Sequence, residues 1–485
     1  MKKIIICVAV FFVSSSFLLA VGEAKRTNFI QILTDDQGWG DLKSFGHDRI
    51  LSPNIDRLAK EGLKFTSCYS SDAVCSPSRS SIITGRTPFR NGVYRWIRPS
   101  SIVHLPAKEV TLPQLLRKAG YQTSHFGKWH LSWYAEKREK SKGYYDFVLG
   151  SPDQPSMGDY GYDYWLATGN VARPNHKTPV NFFLNGKPLG ETKGFSAQIV
   201  AKQIEHWMNH VRKPGEPFFM TVWFHEPHGP INSDPIFLAR YSDKIKDPAL
   251  KQYFANITQI DEAVGAIVDC LKKNNVYDDT LIWYTSDNGP EGDGYGSYNT
   301  KDSPSGNSRY RGTTGGLRGR KRHTYEGGVR VPGIISWPAG LKAAGVLPGN
   351  VVATPIIGSD VFPTMLELAG LEPPKDVVLD GASIVPLLQG GTLERARPLY
   401  WRNLSPLAIA IRRGDWKIAG NSQRTKFELY NLHDDPRETT NLAPYHPELF
   451  EKMKKELIAY DKEVLAEGPD WWKSEEDLKK NIPVK

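Results

Sequence analysis

The chain has 485 residues, a formal net charge of +9 and four cysteines. That length exceeds one compact core, so we expect one large domain with a smaller one beside it. The cysteine count excludes a scaffold built on disulfide bonds, and the modest positive charge permits an anionic substrate without requiring one.

The first predicted element is a targeting segment. Two lysines precede an apolar run over residues 4–13, and small residues follow. This pattern predicts a secretory signal peptide over residues 1–24, cleaved after Ala20 or Ala24, because the run is too short and wrongly flanked for a membrane span. No later stretch is apolar for long enough to cross a bilayer. We therefore expect an exported protein, periplasmic or secreted, with no stable membrane span.

Export would leave Cys68, Cys75 and Cys270, an odd number in an oxidising compartment. An unpaired cysteine in such a protein indicates a reactive or modified thiol. Cys68 and Cys270 could pair with each other, and the sequence leaves that open. Cys75, which directly precedes Ser-Pro-Ser-Arg, is either an ordinary buried thiol or a reagent.

Apolar, β-rich runs alternate with helix-like segments over residues 25–379, which predicts an α/β catalytic domain. One helix is expected from Ser52 to Gly62, with the serine as its cap, and another between Tyr253 and Leu271. The buried strands are predicted at Phe29–Leu33, Tyr121–Phe126, Phe218–Phe224 and Leu281–Thr285.

The pattern changes beyond Leu379. Three short strands of an antiparallel sheet are predicted at Leu407–Ile411, Trp416–Ala419 and Phe427–Leu429. A final helix follows, with apolar residues from Leu449 to Val464 on one face. We interpret residues 380–485 as a small α+β subdomain packed on the large domain.

Polar side chains follow each of the four predicted strands of the large domain. They are Asp35 and Asp36, Lys128 and His130, His225 and His228, and Asp287 and Asn288. Ligands of open α/β sheets bind at the carboxyl ends of the strands, so we expect these side chains to share one site. Turn preferences explain any single pair, but poorly explain all four together.

Asp35, Asp36, Asp287 and Asn288 offer only oxygen ligands. Such a set suits Ca²⁺ or Mg²⁺ and offers little to zinc, which prefers nitrogen and sulfur. Adjacent aspartates repel each other unless a cation lies between them, so a metal explains Asp35 and Asp36 better than a turn does. The alternative is that these residues only cap helices and form turns.

Two further segments bear on the site. Residues 289–319 contain nine glycines and no apolar period, which is typical of a functional loop or of a floppy insertion. The run RGRKRH at residues 318–323 could be a solvated face or a nucleic-acid-binding patch. Because glycines flank it in an exported chain, we interpret it as a lining for an anionic substrate that includes Lys321, and we expect no nucleic-acid partner.

Several stretches of the sequence resemble those of one protein family. CSPSRSSIITGR, residues 75–86, resembles the C-x-P-x-R and T-G signature of the formylglycine-dependent sulfatases. Five further stretches resemble blocks of that family in the same order, and they are TDDQGWGDL, GKWHL, TSDNG, LRGRKRHTYEGGVRVP and ELYNLHDDPRETTNL. The resemblance implies an alkaline-phosphatase-like fold, a large mixed sheet flanked by helices. It also implies a smaller C-terminal subdomain with an antiparallel sheet and a helix.

The resemblance also implies a chemical role for Cys75. A separate formylglycine-generating enzyme would oxidise it, with Pro77 and Arg79 as part of the recognised motif. One hydroxyl of the hydrated aldehyde would take the sulfate from its ester, and the other would expel it. A serine could form the first ester but could not eliminate sulfate in this way.

The resemblance implies the following residue roles. Asp35, Asp36, Asp287 and Asn288 would hold Ca²⁺ together with modified Cys75, with Mg²⁺ as the alternative ion. Arg79 would stabilise the diol and the metal site, and Lys128 and Lys321 would bind the sulfate oxygens. His130 would be the base for elimination, and His225 would protonate the leaving alcohol. The resemblance gives His228 no general role, and we assign it to the sugar pocket.

The run ITGRTPFRNGVY is similar to carbohydrate sulfatases of the arylsulfatase A and N-acetylgalactosamine-6-sulfatase type. It points to sulfated galactose or N-acetylgalactosamine in a glycan. A phosphonate monoester or phosphodiester hydrolase that uses the same modified cysteine is one alternative. The other is a sulfated-glycan-binding protein whose cysteine is never converted, although such a protein would not need His130 and His225.

Overall fold

The computed structural model describes residues 26–97, 103–132, 140–141, 144–145, 154–292, 308–403 and 408–468. The predicted signal peptide and the middle of the glycine-rich segment lie outside these ranges. Within them, no helix combines the length and the apolar character that a bilayer crossing requires.

The large domain is built on a mixed sheet to which eleven strands of the described residues belong. Its central strands are parallel, and antiparallel pairings extend it on both sides. In spatial order ten strands are Val351–Val352, Leu63–Tyr69, Arg330–Ser336, Thr280–Ser286, Asn28–Thr34, Phe218–Trp223, Gln122–Lys128, Tyr164–Thr168, Phe183–Leu184 and Lys187–Pro188, and Ile356–Ile357 also pairs with Leu63–Tyr69. The predicted mixed α/β sheet is confirmed.

Both faces of this sheet are buried. In its strand Asn28–Thr34, Phe29 and Leu33 pack into one core cluster and Ile30 and Ile32 into another. Because neighbouring side chains of a strand point to opposite faces, the two clusters lie on opposite sides of the sheet. This explains why the central strands are continuous apolar runs without alternation.

Helices cover the two faces. Those that precede the C-terminal sheet in the chain are Pro53–Glu61, Cys75–Thr84, Pro88–Asn91, Leu112–Lys118, Ser196–His206, Pro235–Ala239, Pro248–Lys273, Glu326–Val329, Pro338–Ala343, Val361–Leu368 and Val385–Leu388. The predicted helix between Tyr253 and Leu271 is confirmed and is longer than expected, because Asp247 caps its start by accepting from the backbone of Ala249.

The predicted helix after Ser52 forms, but the predicted serine cap is wrong. Ser52 Oγ donates to Asp56 Oδ2 at 3.0 Å and accepts from the Lys43 backbone at 3.1 Å, so it does not cap a helix N–H. Gly62 ends the helix without a left-handed backbone conformation, and a glycine is required there because another strand approaches closely. A Cβ there would lie 2.2 Å from the backbone oxygen of Ile335.

The C-terminal part forms the predicted antiparallel sheet and helix. Its four strands, in order, are Leu399–Arg402, Ile409–Arg413, Trp416–Gly420 and Phe427–Asn431, and the helix is Pro447–Leu465. Residues from the sheet and from the helix share one apolar cluster, which includes Ile411, Ile418 and Leu457. Leu407, the predicted first residue of one strand, lies outside the described residues.

Cys68, Cys75 and Cys270 are buried free thiols. Cys68 belongs to the core cluster on one face of the large sheet and Cys270 to the cluster on the other. The disulfide that the sequence left open between them is therefore not formed, because the sheet separates the two sulfur atoms.

Candidate active site

The sheet brings the predicted polar residues to one edge. The strands ending at Thr34, Lys128, Trp223 and Ser286 are parallel neighbours, so the residues that follow them meet at the same edge. The helix Cys75–Thr84, here called the signature helix, begins at this edge with Cys75, and all ten of its residues are buried.

Two fully buried ion pairs form the floor of the site. Lys128 Nζ lies 2.6 Å from Asp35 Oδ2, with neither side chain exposed to solvent. Arg79 donates from Nε and Nη2 to Asp287 Oδ2, at 3.1 and 2.7 Å. Its Nη1 donates to the backbone oxygen of Lys128 at 2.9 Å, which joins the two pairs. Buried charges are stable only when they are paired and hydrogen-bonded in this way.

Asp36 contacts Asp287 of the buried ion pairs and also Asn288 and Lys321. Its backbone is in the left-handed region, with φ at 68°, a conformation that aspartate tolerates better than most residues. Asn288 Nδ2 donates to Asp36 Oδ1 at 2.8 Å, and the Asp36 backbone donates to Asp287 Oδ1 at 3.2 Å. Lys321 Nζ forms an ion pair with the same Oδ1 atom of Asp36.

Cys75 lies at the centre of these residues and is only 3 % exposed. Lys321 Nζ is 3.7 Å from its Sγ atom. Ligand atoms of Cys75, Asp35 and Asp36 all lie within 4.8 Å of one another. Burial raises the pKa of the thiol above its ordinary value, and the opposing effect of Lys128 is smaller. The unmodified thiol is therefore a poor nucleophile.

The oxygen atoms at this edge fit a hard cation. Asp35 Oδ1, Asp36 Oδ2 and Asn288 Oδ1 are buried and have no hydrogen-bond partner among the described residues. Buried polar atoms of a folded protein are normally satisfied, so three orphaned oxygens in contacting residues need a ligand. Oxygen donors of this kind are those that Ca²⁺ prefers.

The charges of Asp35 and Asp36 agree with a cation site. Burial alone would raise the pKa of Asp35, but Lys128 and other nearby cations hold it well below its ordinary value. The same balance, with Lys321 as the largest cation effect, lowers the pKa of Asp36. Burial and then Asp35 raise the pKa of Asp287 to about 7 against the effect of Arg79. Asp35 and Asp36 are thus ionised near neutral pH and available to a cation.

The predicted histidines surround this centre. His130, with φ at 58°, contacts the backbone oxygen of Ile97 through Nε2 at 2.9 Å. His225 Nε2 lies 2.8 Å from Thr168 Oγ1. Burial, then the charge of Lys128, lowers the pKa of His130 well below its ordinary value. Burial, then His176, does the same for His225, so both rings are neutral at neutral pH.

His228 lies at the outer side of the site. Its Nε2 is 3.8 Å from Asp36 Oδ2 and accepts from Arg309 Nη2 at 3.0 Å. Its Nδ1 faces the backbone oxygen of Gly229 at 2.6 Å. The contacts and charges described here bring all eleven predicted residues together, whereas their chemical roles remain predictions.

Three residues of the site, Thr168, Glu291 and Arg309, were not predicted. Thr168 contacts His225, and Glu291 forms ion pairs with Arg309 and Arg322 beside Lys321. Thr168 ends the strand Tyr164–Thr168, and the apolar run before Gly169 was the signal that could have found it. Glu291 and Arg309 lie in the glycine-rich segment, where no period distinguishes one residue from another.

Two protein-family models match this chain. The family model described as Sulfatase matches residues 27–371. A second model, described as N-sulphoglucosamine sulphohydrolase, C-terminal, matches residues 319–463. Between them the two matches cover the large sheet, the site and the C-terminal sheet.

Individual relatives cover most of the chain. N-acetylgalactosamine-6-sulfatase of Canis lupus familiaris is 31% identical over 420 residues, which are 82% of this chain and 73% of that protein. Arylsulfatase G of Rattus norvegicus is 29% identical over 470 residues, which are 89% of this chain and 85% of that protein. The crystal structure of Ps i-CgsB in complex with k-i-k-neocarrahexaose aligns with a TM-score of 0.75 and 25% identity, covering 90% of this chain and 92% of that one.

Proposed function

Because the chain belongs to the sulfatase family, whose members are sulfuric ester hydrolases, we propose that it removes sulfate from sulfate monoesters of a carbohydrate. The proposed nucleophile is formylglycine derived from Cys75, and the proposed metal is Ca²⁺. The observation that carries the proposal is the position of Cys75. It lies buried between Lys321, Asp35 and Asp36 at the edge where the parallel strands end.

The proposed substrate unit is sulfated galactose or N-acetylgalactosamine. A relative named N-acetylgalactosamine-6-sulfatase, which is 31% identical, supports this choice. A structural neighbour whose complex contains k-i-k-neocarrahexaose supports a glycan more generally. We further propose that the protein is exported, as its first 24 residues predict.

Asp35, Asp36, Asp287 and Asn288 would hold Ca²⁺ together with modified Cys75. The three orphaned oxygens support this assignment for Asp35, Asp36 and Asn288. The ion would supply electrostatic stabilisation of the charge that develops on the sulfate and the nucleophile. Formylglycine would supply a hydrated aldehyde, one hydroxyl of which takes the sulfate while the other allows its expulsion.

Lys128 and Lys321 would bind the sulfate oxygens. Both are buried, and each is held in place by an ion pair with an aspartate. Hydrolysis of comparable phosphate monoesters requires a barrier reduction beyond about 20 kcal/mol, and one preorganised donor contributes about 3–4 kcal/mol. A metal, several cations and a covalent nucleophile are therefore needed together.

Two neutral histidines would move the protons. His225, whose Nε2 lies 2.8 Å from Thr168 Oγ1, would give a proton from Nε2 to the oxygen of the leaving alcohol. His130, near Lys128 and Arg79, would take a proton from the second hydroxyl at position 75. A neutral imidazole suits the base, and the depressed pKa of His130 keeps it neutral.

Sulfate release from a panel of substrates tests the proposal. The panel contains galactose and N-acetylgalactosamine sulfated at single positions, an aryl sulfate and a phosphodiester. We expect release from one sugar regioisomer, and this result would identify the substrate. Turnover of the phosphodiester with no release from any sugar would instead indicate a phosphodiester hydrolase, and silence on every substrate would indicate a binding protein.

A further inference from the structure

Two partly exposed arginines, Arg309 and Arg322, adjoin the site, and we call them the arginine pair. Arg309 belongs to the short helix Ser308–Arg311, and its Nη2 lies 3.6 Å from Asp36 Oδ2. Arg322 directly follows Lys321 in the chain. The two side chains are 25 % and 21 % exposed, whereas that of Lys321 is buried. The proposed reaction assigns no role to either arginine.

The carboxylate of Glu291 holds the arginine pair together. Glu291 is 1 % exposed, and its Oε1 and Oε2 atoms form ion pairs with Arg322 and Arg309 respectively. Arg322 Nη2 also donates to Oε2 at 3.0 Å. The same Oε2 atom is 3.8 Å from Lys321 Nζ, so one carboxylate connects the arginine pair to a lysine that is proposed to bind sulfate. Because a carboxylate carries a single charge, Glu291 alone cannot neutralise both arginines.

Other contacts fix Glu291 in its place. Arg320, which is 2 % exposed, donates from Nε to the backbone oxygen of Glu291 at 2.9 Å. The backbone of Gly292 donates to Glu291 Oε1 at 3.1 Å. The carboxylate is therefore held before any ligand binds, and so are the arginines that pair with it. Such preorganisation lowers the entropy that a ligand loses on binding.

His228 positions Arg309. Its Nδ1 donates to the backbone oxygen of Gly229 at 2.6 Å, so Nε2 of the neutral ring has no proton and accepts from Arg309 Nη2 at 3.0 Å. The aliphatic part of Arg309 lies over Gly229, where a Cβ would be 3.1 Å from Arg309 Cδ. Contacts thus fix Arg309 both along its stem and at its guanidinium.

Arg322 has a backbone conformation that arginine rarely adopts. Its φ is 78°, in the left-handed region, and its backbone donates to the oxygen of Ala73 at 2.9 Å, two residues before Cys75. Residues held in such conformations cluster at functional sites. A glycine would adopt this conformation without strain, but it could not place a guanidinium beside the site.

We propose that Arg309 and Arg322 bind a second anionic group of the glycan, a sulfate or a carboxylate, carried by the sulfated sugar unit or by its neighbour. The planar guanidinium matches paired anionic oxygens, and charge-assisted hydrogen bonds of this kind are about twice as strong as neutral ones. The inference rests on the proposed sulfatase function and narrows its substrate class to glycans with two neighbouring anionic groups.

Paired substrates that differ in one anionic group test this inference. For a 6-sulfatase, one pair is N-acetylgalactosamine 6-sulfate and its 4,6-disulfate, and the other is the 6-sulfate linked to a hexuronate or to a neutral hexose. If the substrate panel selects another sugar or position, both pairs are built on that one. We expect kcat/KM for the scissile sulfate to be at least about 10-fold higher for the doubly anionic member of one pair, as a hydrogen bond to a charged group supplies. The pair that shows the preference distinguishes sulfate from carboxylate.

Single substitutions assign the preference to the arginine pair. Arg309→Gln and Arg322→Gln should each reduce it to below about 3-fold, while the remaining arginine still pairs with Glu291. Arg309→Lys, which keeps the charge but not the planar fork, should retain part of it. Arg240→Gln is the matched control and should keep the whole preference, since Arg240 pairs with Glu262 at 2.6 Å on other helices. Thermal unfolding of each variant identifies any that misfolds.

Equal kcat/KM for the two members of both pairs in the wild type would overturn the inference and leave the proposed function intact. A preference as strong in Arg309→Gln or in Arg322→Gln as in Arg240→Gln would also overturn it. Wild-type protein that releases sulfate from no sugar would instead contradict the proposed function, and the inference would fail with it.

Discussion

Lys128 and Asp35 form an ion pair with 2.6 Å between Nζ and Oδ2 and with neither side chain exposed to solvent. The same two residues have separate proposed roles, since Lys128 would bind the sulfate and Asp35 would bind the metal. The pair therefore links the charge of the substrate site to that of the metal site. Replacing either residue should affect both.

Lys128→Met should reduce sulfate release at least about 100-fold, because it removes a preorganised cation from the sulfate. It should also lower the free energy of unfolding by about 3–5 kcal/mol in the absence of metal, since Asp35 is left buried and less well paired. Added Ca²⁺ should recover part of that stability. Denaturant unfolding with and without Ca²⁺ measures both effects.

Lys417→Met is the matched control for this prediction. Lys417 is also fully buried, and its Nζ lies 3.0 Å from Glu326 Oε1, between the two sheets and outside the site. This variant should lose stability without gaining any additional response to Ca²⁺. Full activity of Lys128→Met would contradict the role of Lys128 in binding sulfate.

Ca²⁺ should raise the thermal unfolding temperature of the protein through the three orphaned oxygens. A ligand that binds only the folded state at 100 times its Kd stabilises it by about 2.7 kcal/mol. Asn288→Leu should abolish the increase, because it removes one of those oxygens and the hydrogen bond to Asp36. Chelation should remove the activity of the wild type.

Asn91→Leu provides the comparison, since Asn91 is equally buried but its Nδ2 donates to Ser80 Oγ at 3.1 Å, away from the carboxylates. It should keep the response to Ca²⁺ even if it is less stable. A wild-type protein that is fully active without any bound metal would rule out the metal site.

His125 should make the stability of the protein depend on pH. Burial and then Arg79 lower its pKa from 6.5 to about 3, so the folded state binds fewer protons than the unfolded chain. The stability from this group is present above pH 6.5 and is lost as the pH falls towards 3. The loss approaches about 1.4 kcal/mol per pH unit in that range.

His125→Leu should therefore flatten the decline of unfolding free energy between pH 6.5 and pH 5, by about 1–2 kcal/mol over the interval. Parallel curves for the two proteins would show that the pKa of His125 is the same in the folded and the unfolded state. The comparison of slopes is unaffected by any constant loss from the hydrogen bond between His125 and Thr221.

The burial of the signature helix predicts that Cys75 is converted before the chain folds. Ser78 is 1 % exposed and Arg79 is fully buried, so a maturing enzyme cannot read the motif in the folded protein. A formylglycine-generating enzyme should convert an unfolded peptide that spans residues 70–86 and leave the folded, unconverted protein unchanged. Equal conversion of both, measured by mass, would contradict this order of events.

The sequence predicted the centre of the site because its residues follow apolar runs. Asp35, Lys128 and Asp287 each end or follow a strand, and parallel strands deliver such residues to one edge. Glu291 and Arg309 could not be predicted, since they belong to a segment with no apolar period and are held by contacts with residues that are distant in the sequence, such as His228.

Predictions from local sequence were also wrong where contacts with distant residues determined the structure. Ser52 precedes a helix, as a capping residue would, but the Asp56 carboxylate engages its hydroxyl. Gly62 follows the same helix because Ile335 approaches closely rather than because of a left-handed turn. Both outcomes depend on neighbours that the local sequence does not show.

The central claim is that Cys75 acts as formylglycine in a sulfatase, and the mass of the peptide that carries Cys75 tests it most directly. The peptide would be taken from protein that releases sulfate. We predict that the peptide has lost the sulfur atom and gained a carbonyl oxygen in proportion to the activity. An intact thiol throughout a fully active preparation would contradict the account.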